Sequence, residues 1–137
     1  MKSERGGAAI EFAIVFPLLV TLLLGIIEFS LILYDKAIIT NASREGARAG
    51  IVAQLVRVTN AEIGAVVEKY SKDHLISFGG DIVPTVSITP VDRSGSKFGD
   101  ELTVTVTYPY GFLALPNFVT GMIGPMELSA TTVMRME

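Results

Sequence analysis

Glu11 is the residue whose chemistry most needs a partner. It follows a Gly6-Gly7 pair and a short basic leader, Met1 to Gly6, and it falls inside a long apolar helix. A carboxylate at the centre of a bilayer costs roughly 2.5–3.5 kcal/mol. A compensating charge is therefore expected. The simplest one is an amine released by cutting the chain just before Gly7. Glu28, further along the same helix, leaves two readings open: an interfacial acid that snorkels to water, or a contact with a neighbouring helix.

Other reactive groups are sparse. His74 is the single histidine, and a lone histidine near a helix end reads as a surface or capping group. Asp73, Asp81, Asp92 and Asp100 are scattered without the spacing of a calcium loop. There is no cysteine, which excludes disulfides, thiol catalysis and cysteine metal sites. No Gly-rich phosphate loop and no nucleophile elbow occur. The expectation is a protein with no catalytic residue, no metal and no cofactor, and not an enzyme. A net charge of −3 gives nucleic-acid binding no electrostatic support.

The positioning elements follow from patterning. The chain has 137 residues, of which 50% are hydrophobic, enough for one domain. From Ala8 to Tyr34 only Glu11, Thr21, Glu28 and Ser30 interrupt an apolar run. As a helix this run spans about 40 Å, more than the roughly 30 Å hydrocarbon core. Its heart, Phe12 to Ile27, spans about 24 Å, so Glu11 and Glu28 fall near opposite interfaces. The run is too long for a secretory signal and no Ala-x-Ala site closes it, which makes it a retained membrane helix. The basic leader favours a cytoplasmic N-terminus with everything after Tyr34 outside. Pro17 removes one backbone hydrogen bond in the helix interior and can kink or loosen it.

The helix need not stop at Tyr34, since no proline occurs from Asp35 to Arg57. Ala42, Gly46 and Gly50 form a small-xxx-small stripe that permits close helix packing. The alternative is that these glycines are flexible positions near the membrane exit. Thr59 and Glu62 fit a capping box, so Asn60 to His74 reads as an amphipathic helix with Ile63, Val66, Val67 and Tyr70 on its apolar face. Phe78-Gly79-Gly80-Asp81 is a turn signal. Ile82 to Val91 reads as a strand whose Pro84 and Pro90 mark an edge. Asp92 to Asp100 is a polar hairpin loop. Leu102, Val104, Val106 and Tyr108 alternate with threonines in the clearest strand, which Tyr108-Pro-Tyr-Gly111 should break. Phe112 to Pro125 is an apolar loop with a short helical turn. Met126 to Met136 alternates again.

The fold class expected is α+β: a long N-terminal transmembrane helix continuing outside the membrane, a second amphipathic helix, and a small antiparallel sheet of about three strands. A sheet this small needs a helix packed on one face. The division is residues 1–6 as leader, 7–57 as membrane-spanning and assembly helix, and 58–137 as extracytoplasmic domain.

Two blocks carry a family resemblance. Arg5 to Pro17, Arg-Gly-Gly-Ala-Ala-Ile-Glu-Phe-Ala-Ile-Val-Phe-Pro, resembles the N-terminus of the TadE-like proteins, pseudopilins or minor pilins of the bacterial tight-adherence (Flp, type IVc) pilus system. Ala42 to Gly50 resembles that family's Ala-x-Arg-Glu-Gly-Ala-Arg signature, here with Arg44, Glu45, Gly46, Ala47 and Arg48. The resemblance covers roughly the first 50 residues. It implies cleavage by a prepilin peptidase between Gly6 and Gly7, with Glu11 as the fifth mature residue. Cleavage after Gly7 is the open alternative. Phe12 stands where the small Flp pilins carry tyrosine. Glu11, Phe12 and Pro17 would serve subunit assembly, with Glu11 meeting the N-terminal amine of a neighbouring subunit. That amine titrates at about 8 and is mostly protonated at neutral pH. In a low-dielectric bundle the pair would select one register, because other registers leave a buried charge. The implied partners are other pilin subunits, prepilin peptidase, an inner-membrane assembly platform and membrane lipid. The implied location is the bacterial inner membrane and, after assembly, the surface pilus. A minor, priming or tip role is favoured over a major filament subunit, since major Flp pilins are much shorter. The rival classes are a non-polymerising membrane-anchored binding or adhesion module, and an enzyme subunit or inhibitor in the envelope.

Overall fold

The computed structural model describes residues 3–52, 58–77, 83–92 and 95–136. The glycine turn at 78–81, and residues 53–57 at the end of the expected helix extension, lie outside these. The order is helix α1 (Ser3–Ile51), helix α2 (Asn60–His74), strand β1 (Thr85–Thr89), strand β2 (Glu101–Tyr110), helix α3 (Asn117–Ile123) and strand β3 (Met126–Arg135). The sheet is antiparallel, ordered β1-β2-β3. This is the α+β class expected, with the long apolar helix, the second helix and three strands.

α1 is one helix of 49 residues, about 74 Å long at 1.5 Å per residue. It is long and apolar enough to cross a membrane, and its most apolar window is not buried within the chain. Its two halves differ in pattern. Up to Ile27 the helix is apolar nearly all round and exposed. From Glu28 onward a stripe is buried: Glu28, Asp35, Ile38, Ile39, Ala42, Ser43, Gly46, Ala47 and Gly50. Successive buried positions three, four or seven apart mark one helix face. That face packs on β2, β3 and α2.

Strand register explains how the sheet lies on α1. β2 runs antiparallel to α1. Its first residues, around Leu102, pack near Gly50, Val104 lies near Gly46, and Tyr110 reaches Glu28. Leu102, Val104, Val106, Tyr108 and Tyr110 point into the core while the threonines between them are partly exposed. β2 continues through Pro109, paired with Glu127, instead of breaking after Tyr108. β1 pairs only as far as Thr107, so position 109 lies where the sheet has one neighbour, and proline is tolerated there. β1 is an edge strand, shorter than expected, confined between Pro84 and Pro90.

α2 begins where its capping box sits. The Glu62 amide donates to Thr59 Oγ1 at 3.3 Å, and the Thr59 amide donates to Glu62 Oε2 at 2.7 Å. That last bond holds the Glu62 carboxyl below its usual range. Ile63 and Val67 are fully buried against α1 and β2.

The close approach of these elements depends on two glycines. A Cβ built on Gly46 would lie 2.4 Å from Val67 Cγ2, and one on Gly50 would lie 2.5 Å from Leu102 Cδ2 and 2.7 Å from Ile63 Cδ1. A Cβ on Gly64 of α2 meets nothing within 4 Å. The substitutions should therefore have opposite signs. Gly46→Leu is expected to destabilise the chain by about 1–3 kcal/mol through overpacking. Gly64→Ala should stabilise it by up to about 1 kcal/mol through helix propensity. Thermal unfolding of the full chain in detergent checks both.

Candidate membrane-boundary and assembly site

The acids of α1 sort into two kinds. Glu11 lies on the exposed surface of the apolar half, with no hydrogen bond or ion pair among the described residues. Glu28 is 1% exposed and Asp35 is fully buried. The chain itself supplies their surroundings.

Glu28 is enclosed by the segment after β2. The Tyr110 hydroxyl donates to Glu28 Oε1 at 2.6 Å. The Leu113 amide reaches both carboxylate oxygens at 3.1 Å, and the amides of Ala114 and Leu115 donate to Oε2 at 2.6 and 3.2 Å. Three successive backbone N–H groups turned to one side form an anion-binding nest. Glu28 is therefore neither snorkelling into water nor meeting another membrane helix within this chain. It is a long-range tie between α1 and the end of the sheet nearest the exposed apolar half of that helix. Tyr110 also packs edge-on against Phe112, with centroids 5.7 Å apart.

One turn pair further along, Asp35 Oδ1 accepts from the Ile76 amide at 3.2 Å, while Oδ2 has no partner among the described residues. The neighbouring Lys36 Nζ donates to the Ser129 carbonyl of β3. Ser43 shares a hydrogen bond with Thr132 of β3 at 2.7 Å. A ladder of polar contacts thus runs along the α1 face that meets the sheet.

The tyrosines of β2 respond to this setting. Burial, then the hydrogen bond to Glu28, pushes the Tyr110 phenol well above its ordinary range. Burial, then the charge of Asp35, raises Tyr108.

The residues singled out from sequence fall in two places. Gly6, Gly7, Glu11, Phe12 and Pro17 lie on the exposed N-terminal half. Phe12 stacks on Phe16 with centroids 5.2 Å apart. The helix runs unbroken through Pro17, whose carbonyl accepts the Thr21 hydroxyl at 2.8 Å. Ala42, Gly46 and Ala47 face the core, and Gly50 lies against Leu102 and Ile63. Arg44, Glu45 and Arg48 alternate outward and are exposed, without a hydrogen bond or ion pair among the described residues. His74 is exposed at the end of α2, where Nδ1 lies 2.8 Å from the Tyr70 carbonyl and the ring stacks on Tyr70. Among the described residues no cluster of three or more His, Asp or Glu could hold a metal ion.

The model of the TadE-like protein family matches residues 6–48. The match covers most of both motif blocks and about a third of the chain, and it is the family that those motifs resemble. No curated protein and no solved structure matches the chain.

Two outcomes follow for the Glu28 tie. Glu28→Ala leaves three partly buried amides and a buried phenol without their acceptor, so the full chain should lose about 1.5–3 kcal/mol, the scale of a hydrogen bond to a charged group; denaturation of the sheet followed by circular dichroism measures this. Tyr110 keeps its proton in the folded chain where the unfolded chain loses it near the ordinary phenol value of about 10. Its contribution is complete below that pH and declines as pH rises above it. Tyr110→Phe should flatten part of this alkaline slope in a pH series of melting temperatures.

Proposed function

We propose that the chain is a pilin-like subunit of a tight-adherence pilus, anchored in the bacterial inner membrane by α1 and processed between Gly6 and Gly7 by a prepilin peptidase. It joins or primes a filament through the N-terminal half of α1. The sheet-bearing part faces outward from the membrane, and the role is that of a minor or priming subunit. The family match supports a pilus-associated protein. The assembly mechanism is argued from the contrast among the acids.

Glu28 and Asp35 are enclosed by the chain's own groups. Glu11 is exposed on a surface suited to lipid, and its partner must come from elsewhere. This contrast carries the reading. Cleavage before Gly7 removes Lys2 and Arg5, which hold the leader inside, and creates a protonated α-amine. An amine on one subunit and Glu11 on the next then fix the axial step between them. A mismatched register leaves a charge in the low-dielectric bundle.

Glu11→Leu is expected to insert in the membrane at the normal level and to fail in filament incorporation; fractionation and immunogold labelling of pili measure the two. Normal incorporation of that variant contradicts the mechanism. Intact-mass analysis of the native protein should give a chain beginning at Gly7. A retained Met1 would favour the non-polymerising anchored module.

A further inference from the structure

We propose that the segment from Phe112 to Pro125, with α3 at its centre, is a second membrane-inserting element, and that lipid acyl chains fill the groove between α3 and α1. The proposal rests on α1 spanning the bilayer.

The segment carries no charged residue from Phe112 to Pro125, in a chain of which 18% is charged. None of α3 is buried. Phe118 is 69% exposed and Met122 87% exposed, and Ile123 is also exposed. An apolar helix with no cover in its own chain is costly in water and suited to an apolar solvent.

Topology places this segment on the correct side. β2 descends along α1 from the Gly50 end to Glu28, and β3 climbs back. The β2–β3 connection is therefore the membrane-proximal tip of the sheet, and the nest around Glu28 fixes its height. The opposite tip, between β1 and β2, carries Asp92, Lys97 and Asp100. That tip also exposes Val91 and Phe98, so what separates the two ends is charge: the β1–β2 tip has it and the β2–β3 tip has none.

Beyond the nest, α3 runs beside the lipid-facing half of α1. Leu115, Phe118 and Val119 form one wall of an open apolar groove of about 900 Å³. Pro17, Leu22 and Phe29 are among the residues of the other wall. From Glu28 to Pro17 the helix descends about 16 Å, a depth reached only inside the hydrocarbon layer if Glu28 sits at its edge. The groove is continuous with the exposed apolar surface of α1.

The hydroxyls in this region are already satisfied. Thr21 donates to the Pro17 carbonyl and Ser30 to the Ile26 carbonyl, each at 2.8 Å, and Thr120 donates to the Asn117 carbonyl at 3.1 Å. Hydroxyls that bond back to their own helix can face lipid without an orphaned donor. Asn117, at the start of α3, is the other polar side chain of the segment.

The chain has no cysteine, so single cysteines can carry spin labels. The test labels Met122→Cys and, separately, Phe118→Cys in the full chain, one copy per nanodisc of phosphatidylethanolamine and phosphatidylglycerol. Leu22→Cys serves as the membrane reference and Lys97→Cys as the aqueous one. Collision rates with oxygen and with a water-soluble nickel chelate are read by power saturation. The expected result is nickel access at 118 and 122 as low as at 22 and several-fold below that at 97, with high oxygen access. Nickel access at 118 and 122 equal to that at 97, with 22 still shielded, overturns the proposal and leaves the spanning helix intact. Nickel access at 22 itself overturns both. Shielding that appears only when two chains share a disc assigns the groove to a second copy and overturns the lipid assignment.

Discussion

A buried carboxylate must be surrounded by donors, and in this chain the donors come from more than eighty residues away in sequence. Glu28 is the point at which α1 changes from a helix exposed on all sides to a helix packed on one. Its oxygens take up the Tyr110 hydroxyl and three consecutive amides, so the end of β2 and the start of the α3 segment cannot slide along α1. Above that level one face of the helix is core: Ile39, Ala42, Gly46 and Gly50 against Ile63, Val67, Leu102 and Val104. Everything below it is apolar surface without cover. Losing this contact would unfix the height of the sheet relative to the helix.

The same helix therefore serves two solvents. In its lower half, shape is maintained by internal hydrogen bonds alone, and the hydroxyls of Thr21 and Ser30 turn back onto the helix backbone. In its upper half, small residues let a second helix and a strand come close. The exposed Arg44, Glu45 and Arg48 stay on the outer face of that half. Acids mark the transitions. Glu11 has no partner among the described residues, while Glu28 and Asp35 are enclosed. An unmatched acid in an apolar surface is a strong bias toward association, because association is what removes its cost.

Much of the fold is legible in the residues. Thr59 and Glu62 announce α2 because a capping box is a local device, made from residues three apart. The Leu-Thr-Val-Thr-Val alternation announces β2 because one sheet face is buried, and Pro84 and Pro90 bracket an edge strand. The failures are tertiary in origin. The partner of Glu28 is mostly backbone, and backbone amides leave no signature in a sequence. Pro109 looks like the end of a strand, yet it pairs with Glu127 because β1 has already stopped beside it. The small residues at 42, 46 and 50 are visible as a stripe, but not which surfaces meet them. The apolar character of Phe112 to Pro125 is plain from composition. Its position beside the lower half of α1 is not, because that depends on the Glu28 tie.

The most direct measurement is amide hydrogen exchange at Leu113, Ala114 and Leu115 in the full-length chain reconstituted in nanodiscs. These amides lie between β2 and α3, in neither a strand nor a helix. If the Glu28 carboxylate holds them, they exchange as slowly as the paired amides of β2 and β3. Exchange at the rate of an open loop would mean that the carboxylate is not seated, and the division of α1 at that residue would have no physical basis.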